Sequence, residues 1–255
     1  MIQITFLFCI LTLFLWGKLF ATGNQKRPAW REDRWQTPRN GFVWLGLVFL
    51  SCQPIQAETV AVEDVNVVDR VVFKAFRQKE NLSEPLGPAW AEEVSRDITA
   101  LGGNTLLALF ACIASGLLCA VGYKKVAVRF WFLLAVGWAA STLLKMAFDR
   151  PRPALQGDVT HIASTSFPSG HAIMSVVFYV PLALIALSFC SKKAVKNVII
   201  TGVMFIIFVS GVTRIHLGVH WPTDIPAGWI VGGLIAWPGW LFTLKPLLGS
   251  HEPNR

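Results

Sequence analysis

Long apolar runs alternate with short polar stretches over most of this chain. From about residue 101 the runs fall at about 101–122, 128–147, 169–190, 197–213 and 224–244. Each approaches the roughly 20 residues that a helix needs to cross a bilayer. Helices are the predicted form, because lipid offers no partners to backbone amides and carbonyls. Upstream the pattern is less regular. Residues 1–20 carry no charge before Lys18, and residues 41–57 form a second, shorter apolar run. Residues 1–57 therefore read as one or two transmembrane or signal-like segments, or as a start lying upstream of the true one. Residues 58–100 are polar to amphipathic. Within them "VNVVDRVVFKAFRQ" spaces its apolar residues as a helix does, which suits a periplasmic or interfacial position, and "EPLGPAW" reads as a loop. The expected fold is all-α, a polytopic membrane helix bundle with five to seven transmembrane helices.

Composition agrees with that pattern. Of the 255 residues, 54% are hydrophobic and only 15% charged, whereas a soluble domain carries about a quarter charged residues. The net charge of +8 could suggest nucleic acid. The cations instead sit in short clusters between apolar runs, at Lys124 and Lys125, at Lys192, Lys193 and Lys196, and at Lys245. That is the pattern of cytoplasmic loops, and no nucleic-acid partner is implied. The five cysteines form no CxxC, so neither a disulfide framework nor a zinc site is expected. No protein partner is implied either.

If those basic loops are cytoplasmic, alternation sends four other helix ends to the opposite side. These are the ends near Lys145, Ser169, Arg214 and Asp224. Three polar clusters then share one plane. "KMAFDRPRP" supplies Lys145, Arg150 and Arg152. "STSFPSGHA" supplies Ser166, Ser169, Gly170 and His171. "TRIHLGVHWPTD" supplies Arg214, His216, His220 and Asp224. Lys145, Arg152 and Arg214 together suit a multiply charged oxyanion, most commonly phosphate. "PSGH" opens a helix, where Ser169 can cap, Gly170 allows close approach and the first amides point at an anion. His220 and Asp224 are spaced i, i+4, so the carboxylate can hold one ring nitrogen and leave the other basic. His171 is a second imidazole on another helix, so two histidines can divide attack from leaving-group protonation.

K-x6-RP at 145–153, PSGH at 168–171 and R-x5-H-x3-D at 214–224 resemble the three-part signature of the type 2 phosphatidic acid phosphatase family, whose superfamily includes the vanadium haloperoxidases. Thr213 stands where that family often has Ser, and it keeps the hydroxyl. The resemblance implies a catalytic membrane domain over 101–248. It implies that Lys145, Arg152, Ser169, Gly170 and Arg214 bind phosphate. His220 would form a phosphohistidine, Asp224 would orient it, and His171 would protonate the leaving oxygen. It implies no metal and no cofactor. The implied partner is a membrane lipid phosphate in the bilayer: phosphatidic acid, phosphatidylglycerol phosphate, undecaprenyl diphosphate or a lipid A phosphate. The implied location is a bacterial inner membrane with the site facing the periplasm.

Plainer readings stand beside these. The cations could be snorkelling residues at helix ends. Arg150 falls outside the motif spacing, so its role is open. His216 reads as a hydrogen-bonded structural histidine, while Asp149, Asp158 and His161 read as solvated loop residues. The tryptophans at 221, 229, 237 and 240 read mostly as interfacial anchors or lipid-facing bulk, although Trp221 could also wall the pocket. Pro181 and Pro238 should bend their spans, and Gly232 and Gly233 should serve helix packing. A lipid phosphotransferase, or a non-catalytic lipid-binding or transport protein, are the alternatives to a phosphatase.

Overall fold

The computed structural model describes residues 59–62, 65–154 and 165–249. The readings made above for residues 1–57, Asp158 and His161 lie outside them. Helices dominate. After β1 (Thr59–Val60) come α1 (Val67–Ala75), α2 (Ala89–Ala100), α3 (Asn104–Ala120) and α4 (Lys124–Phe148). β2 (Arg152–Pro153) leads to α5 (Gly170–Ser188), α6 (Lys193–His216) and α7 (Asp224–Pro238). A π-helical segment, Gly239–Leu244, then joins α7 to α8 (Lys245–Gly249).

Among the described residues, four helical stretches are long and apolar enough to span a membrane: α4, α5, α6 and the continuous Asp224–Leu248. A fifth exists if α2 and α3, bent by 44° at their junction, count as one span. That pairing amends the expected boundary near residue 101. Trp90 belongs to α2 rather than to the loop before it, because Pro88 already serves as the N-cap. Pro238 does not break its span; there the α-helix passes into the π segment.

α5 is the central helix. Of its most apolar stretch 61% is buried, against 33–39% for the other spans. Phe178 on α5 meets Phe130 on α4 with ring centroids 5.6 Å apart. Against α7 the packing is closer still. Added to Gly228, a Cβ would lie 2.7 Å from the Ala172 Cβ and 2.8 Å from the Ser169 carbonyl; at Gly232 it would lie 2.7 Å from the Val176 Cβ. Two glycines one turn apart thus bring two backbones together, as in small-xxx-small membrane packing. Gly233, by contrast, has open space beside it. Outer faces of the spans expose large apolar residues such as Leu117, Phe132, Val198 and Leu234. On a bundle in lipid these are solvated by acyl chains.

A second, smaller cluster lies at the end of the bundle where α5 and α7 begin and α6 finishes. It joins Val62, Phe73, Ala172, Ile215, Trp221 and Ile225. Phe73 and Trp221 stack at 5.2 Å, and β1 pairs in parallel with β2 through Thr59 and Arg152. The 59–77 segment is thereby packed onto this end.

Candidate active site

Each helix terminus at this end has a local cause. α4 stops at Asp149, which adopts a left-handed φ of 40° while its amide bonds Lys145 O. That turn aims the chain back over the helix end and leads to Arg152. α5 starts at Ser169, whose hydroxyl accepts from the Ala172 amide, while the Ser169 amide donates to Asp224 O at 3.1 Å. α6 ends with Leu217 and then Gly218 at φ 70°, a conformation that glycine adopts without strain.

These termini bring the three sequence clusters together. Lys145 Nζ donates to Thr165 O at 2.5 Å, and Arg152 Nη2 donates to the same oxygen at 3.3 Å. Arg152 Nη1 donates to Val219 O, next to His220. A Cβ on Gly170 would lie 3.8 Å from the Lys145 Cε, so the first turn of α5 faces that lysine. Arg214 Nη1 donates to Thr99 Oγ1 at 3.2 Å, which ties α6 to the end of α2. His171 lies against the α2–α3 junction: a Cβ on Gly103 would be 3.7 Å from its Nε2. Two cations on one carbonyl, a third on the neighbouring helix and a helix N-terminus are groups whose chemistry suits an anion.

Beside these groups sits a buried imidazole–carboxylate pair. His220 is 2% exposed and Asp224 is fully buried. His220 Nδ1 lies 3.2 Å from Asp224 Oδ2. A carboxylate can only accept, so Nδ1 carries the hydrogen and Nε2 keeps the lone pair. Burial first, and then the charges of Arg152, Arg214 and Lys145, hold His220 well below the ordinary histidine value of 6.5, while a hydrogen bond with the Ser166 backbone pulls the other way. Burial likewise lowers Arg152 to about 10, against the pull of Asp224. It remains a cation at neutral pH. Among the described residues, no group of three or more His, Cys, Asp and Glu side chains is arranged to hold a metal ion.

All eight site residues expected from the sequence therefore lie at one end of the bundle, on α4, β2, α5, α6, α7 and the turn before α7. Four further groups join them: Arg150 and Ser166, which the sequence clusters contain without a role, and Asp69 and Thr165, which were missed. Arg150 Nη1 donates to Asp224 Oδ1 at 2.7 Å and to Thr223 Oγ1 at 2.9 Å, and its Nη2 donates to Asp69 Oδ2. Asp69, on α1, is fully buried and also accepts from the Thr223 amide at 2.8 Å. Thr165 offers the shared carbonyl. Ser166 donates to Asp224 Oδ2. Its presence in the "STSFPSGH" cluster was the available signal; for Asp69 there was none beyond a charge at helical spacing.

Two tryptophan and histidine readings also resolve. Trp221 is no interfacial anchor: it is fully buried, with Nε1 donating to Pro151 O at 2.9 Å. His216 has Nδ1 2.9 Å from Ser95 Oγ and Nε2 2.9 Å from Leu86 O, so both ring nitrogens are occupied by structural bonds.

The fold and this end of it define a class: a polytopic helical membrane protein with a cluster of cations beside a buried histidine. Comparison with known proteins narrows the class. The pattern of the PAP2 superfamily matches residues 105–246. Phosphatidylglycerophosphatase B of Bacillus subtilis (strain 168) is 34% identical over 152 residues, covering 57% of this chain and 72% of that protein. An undecaprenyl-diphosphatase of Sulfolobus acidocaldarius is 37% identical over 71 residues, covering 28% of this chain and 30% of its own. Among solved structures, the transmembrane PAP2-type phosphatidylglycerolphosphate phosphatase from B. subtilis aligns with a TM-score of 0.61 and 23% identity over 84% of this chain and 98% of its own. Aquifex aeolicus LpxE aligns with a TM-score of 0.51 and 19% identity over 72% and 100% respectively. This chain belongs to the PAP2 superfamily, as an integral-membrane member, and its relatives are phosphatases.

Proposed function

We propose that this protein hydrolyses the phosphate or diphosphate of a membrane lipid through a phosphohistidine on His220. The observation that carries the reading is the meeting of Lys145 and Arg152 on the Thr165 carbonyl beside the buried His220–Asp224 pair. The names of the relatives support a lipid phosphate as substrate class. On this reading Lys145, Arg152, Arg214 and the first amides of α5 neutralise the phosphoryl oxygens as charge develops. His220 Nε2 attacks phosphorus, the bond to the leaving oxygen breaks, and His171 gives that oxygen a proton. Asp224 steadies the imidazolium. Water then attacks the phosphohistidine, His171 takes up its proton, and inorganic phosphate leaves. The cations supply the neutralisation that Mg²⁺ supplies in kinases. Loop charge supports an outward, periplasmic site in an inner membrane.

Phosphate release from phosphatidic acid, phosphatidylglycerol phosphate, undecaprenyl diphosphate and lipid A, in detergent with EDTA present, tests the reading. Turnover of at least one lipid in EDTA is expected. Strict dependence on added Mg²⁺ would overturn the mechanism.

A further inference from the structure

The Asp224 carboxylate is held from two sides. Its Oδ2 accepts from Ser166 Oγ, from the Trp221 amide at 2.9 Å and from His220 Nδ1 at 3.2 Å. Its Oδ1 takes the guanidinium of Arg150 at 2.7 Å. Arg150 does not stand alone. Its other terminal nitrogen donates to Asp69, which is fully buried and is itself fixed by four donors: Thr223 N, Thr223 Oγ1, Asn66 Nδ2 and Arg150. Asn66 is also the N-cap of α1 and accepts from the Asp69 amide at 2.9 Å. The Arg150 plane lies over the Trp221 ring, with the guanidinium carbon 5.8 Å from its centroid. A short helix that precedes the family-matched region thus reaches the catalytic carboxylate through one arginine.

We propose that Asp69 and Arg150 are positioning residues for the His220–Asp224 pair, with Arg150 clamping Asp224 Oδ1 so that Oδ2 is left to the imidazole, and Asp69 holding the clamp. This rests on the proposed function for its chemistry, but its geometry is independent of the substrate. Two physical points carry it. First, planar guanidinium binds two carboxylates at once in a fixed geometry, which a lysine ammonium does not reproduce. Second, charge matters. Arg150 alone would offset the charge of Asp224 and weaken it as a partner for an imidazolium. Two carboxylates and one guanidinium sum to a single negative charge, so the group facing His220 stays anionic. Asp69 would therefore act on the reaction while touching neither substrate nor His220.

The test uses the full-length protein in detergent, with Asp69→Asn, Arg150→Gln, the milder Arg150→Lys, and each combined with Asp224→Asn. For a lipid turned over by the wild type, each single variant should lower kcat about 10–100-fold, the range carried by outer partners of catalytic ligands. KM should change less than about twofold, since binding and chemistry are separable in this way. In the Asp224→Asn background the same changes should cost less than about threefold, because the residue they act through is already disabled. Equal losses in both backgrounds, or a raised KM with kcat unchanged, would overturn the proposal. A second readout needs no substrate. In protein labelled with ¹⁵N-histidine, the ring signals lost in His220→Ala identify His220, and they should report a hydrogen on Nδ1. In Asp69→Asn and Arg150→Lys they should move toward a mixture of tautomers; unchanged signals in both would sink the idea. A wild type inert on every lipid would refute the proposed function, and the ¹⁵N spectra would still decide this one.

Discussion

Two short turns join consecutive spans, and they differ in almost every respect. The turn between α5 and α6 carries Lys192 and Lys193 and is nearly all exposed from Ser188 to Val195. The turn between α6 and α7 carries His220 and Trp221, and residues 218–222 are all buried. Each must reverse the chain in a handful of residues. The first meets that need by leaving its polar groups in water. The second folds inward, and polar groups that it brings along find partners: Val219 O takes Arg152, Trp221 Nε1 takes Pro151 O, and the Thr223 amide takes Asp69. Burying polar groups without partners would cost free energy. The contrast teaches that a polar turn becomes a site when other elements cover it and satisfy it.

Substitutions in the two turns should separate them sharply. His220→Ala is expected to lower kcat by at least about 10⁴-fold, as loss of a catalytic nucleophile does; residual turnover near wild type, measured by phosphate release, would mean that another group attacks. Asp224→Asn should cost about 10²–10⁴-fold, because the amide can present the wrong hydrogen-bonding face to Nδ1. Gly232→Val attacks the seam beneath the buried turn. With a Cβ already 2.7 Å from that of Val176, overpacking should destabilise the protein by about 1–3 kcal/mol, read as a lower melting temperature in detergent.

Acid should be felt at the buried turn and not at the exposed one. Burial and three cations hold His220 below its ordinary 6.5. Below about pH 6.5 the unfolded chain takes up a proton there and the folded chain does not. Stability therefore falls as the pH drops from about 6.5 toward the folded value. His220→Gln should flatten that part of the melting-temperature profile. At the exposed turn, Lys192→Gln with Lys193→Gln should shift stability by less than about 0.5 kcal/mol and leave kcat unchanged.

Much of this was legible in the chain itself, for a physical reason. A bilayer forces helix ends to alternate between two planes, so loop charge alone brought Lys145, Ser169, Arg214 and Asp224 to one side. Spacing within "RIHLGVH" and "PSGH" then suggested which residues would face one another. Asp69 could not be read in the same way. A buried aspartate in a short amphipathic helix has the same pattern as an exposed one, and its partners Arg150 and Thr223 lie far along the chain. For Trp221 two readings stood side by side, because tryptophan near a span end is usually interfacial; contacts with Phe73, Pro151 and Arg150 decide for the buried one. The bend between α2 and α3 falls at Gly102 and Gly103, where the expected apolar run begins; the pairing with α2 was missed because that helix is polar to amphipathic in sequence.

Finally, the cationic cluster stands at the helix ends rather than at mid-depth. On the proposed reaction the two products would enter different phases as soon as they form. Inorganic phosphate would diffuse into the aqueous compartment, while the lipid, carrying less charge than before, would stay anchored among acyl chains. A site at this depth would therefore release each product directly into the phase that holds it, with neither having to cross the bundle.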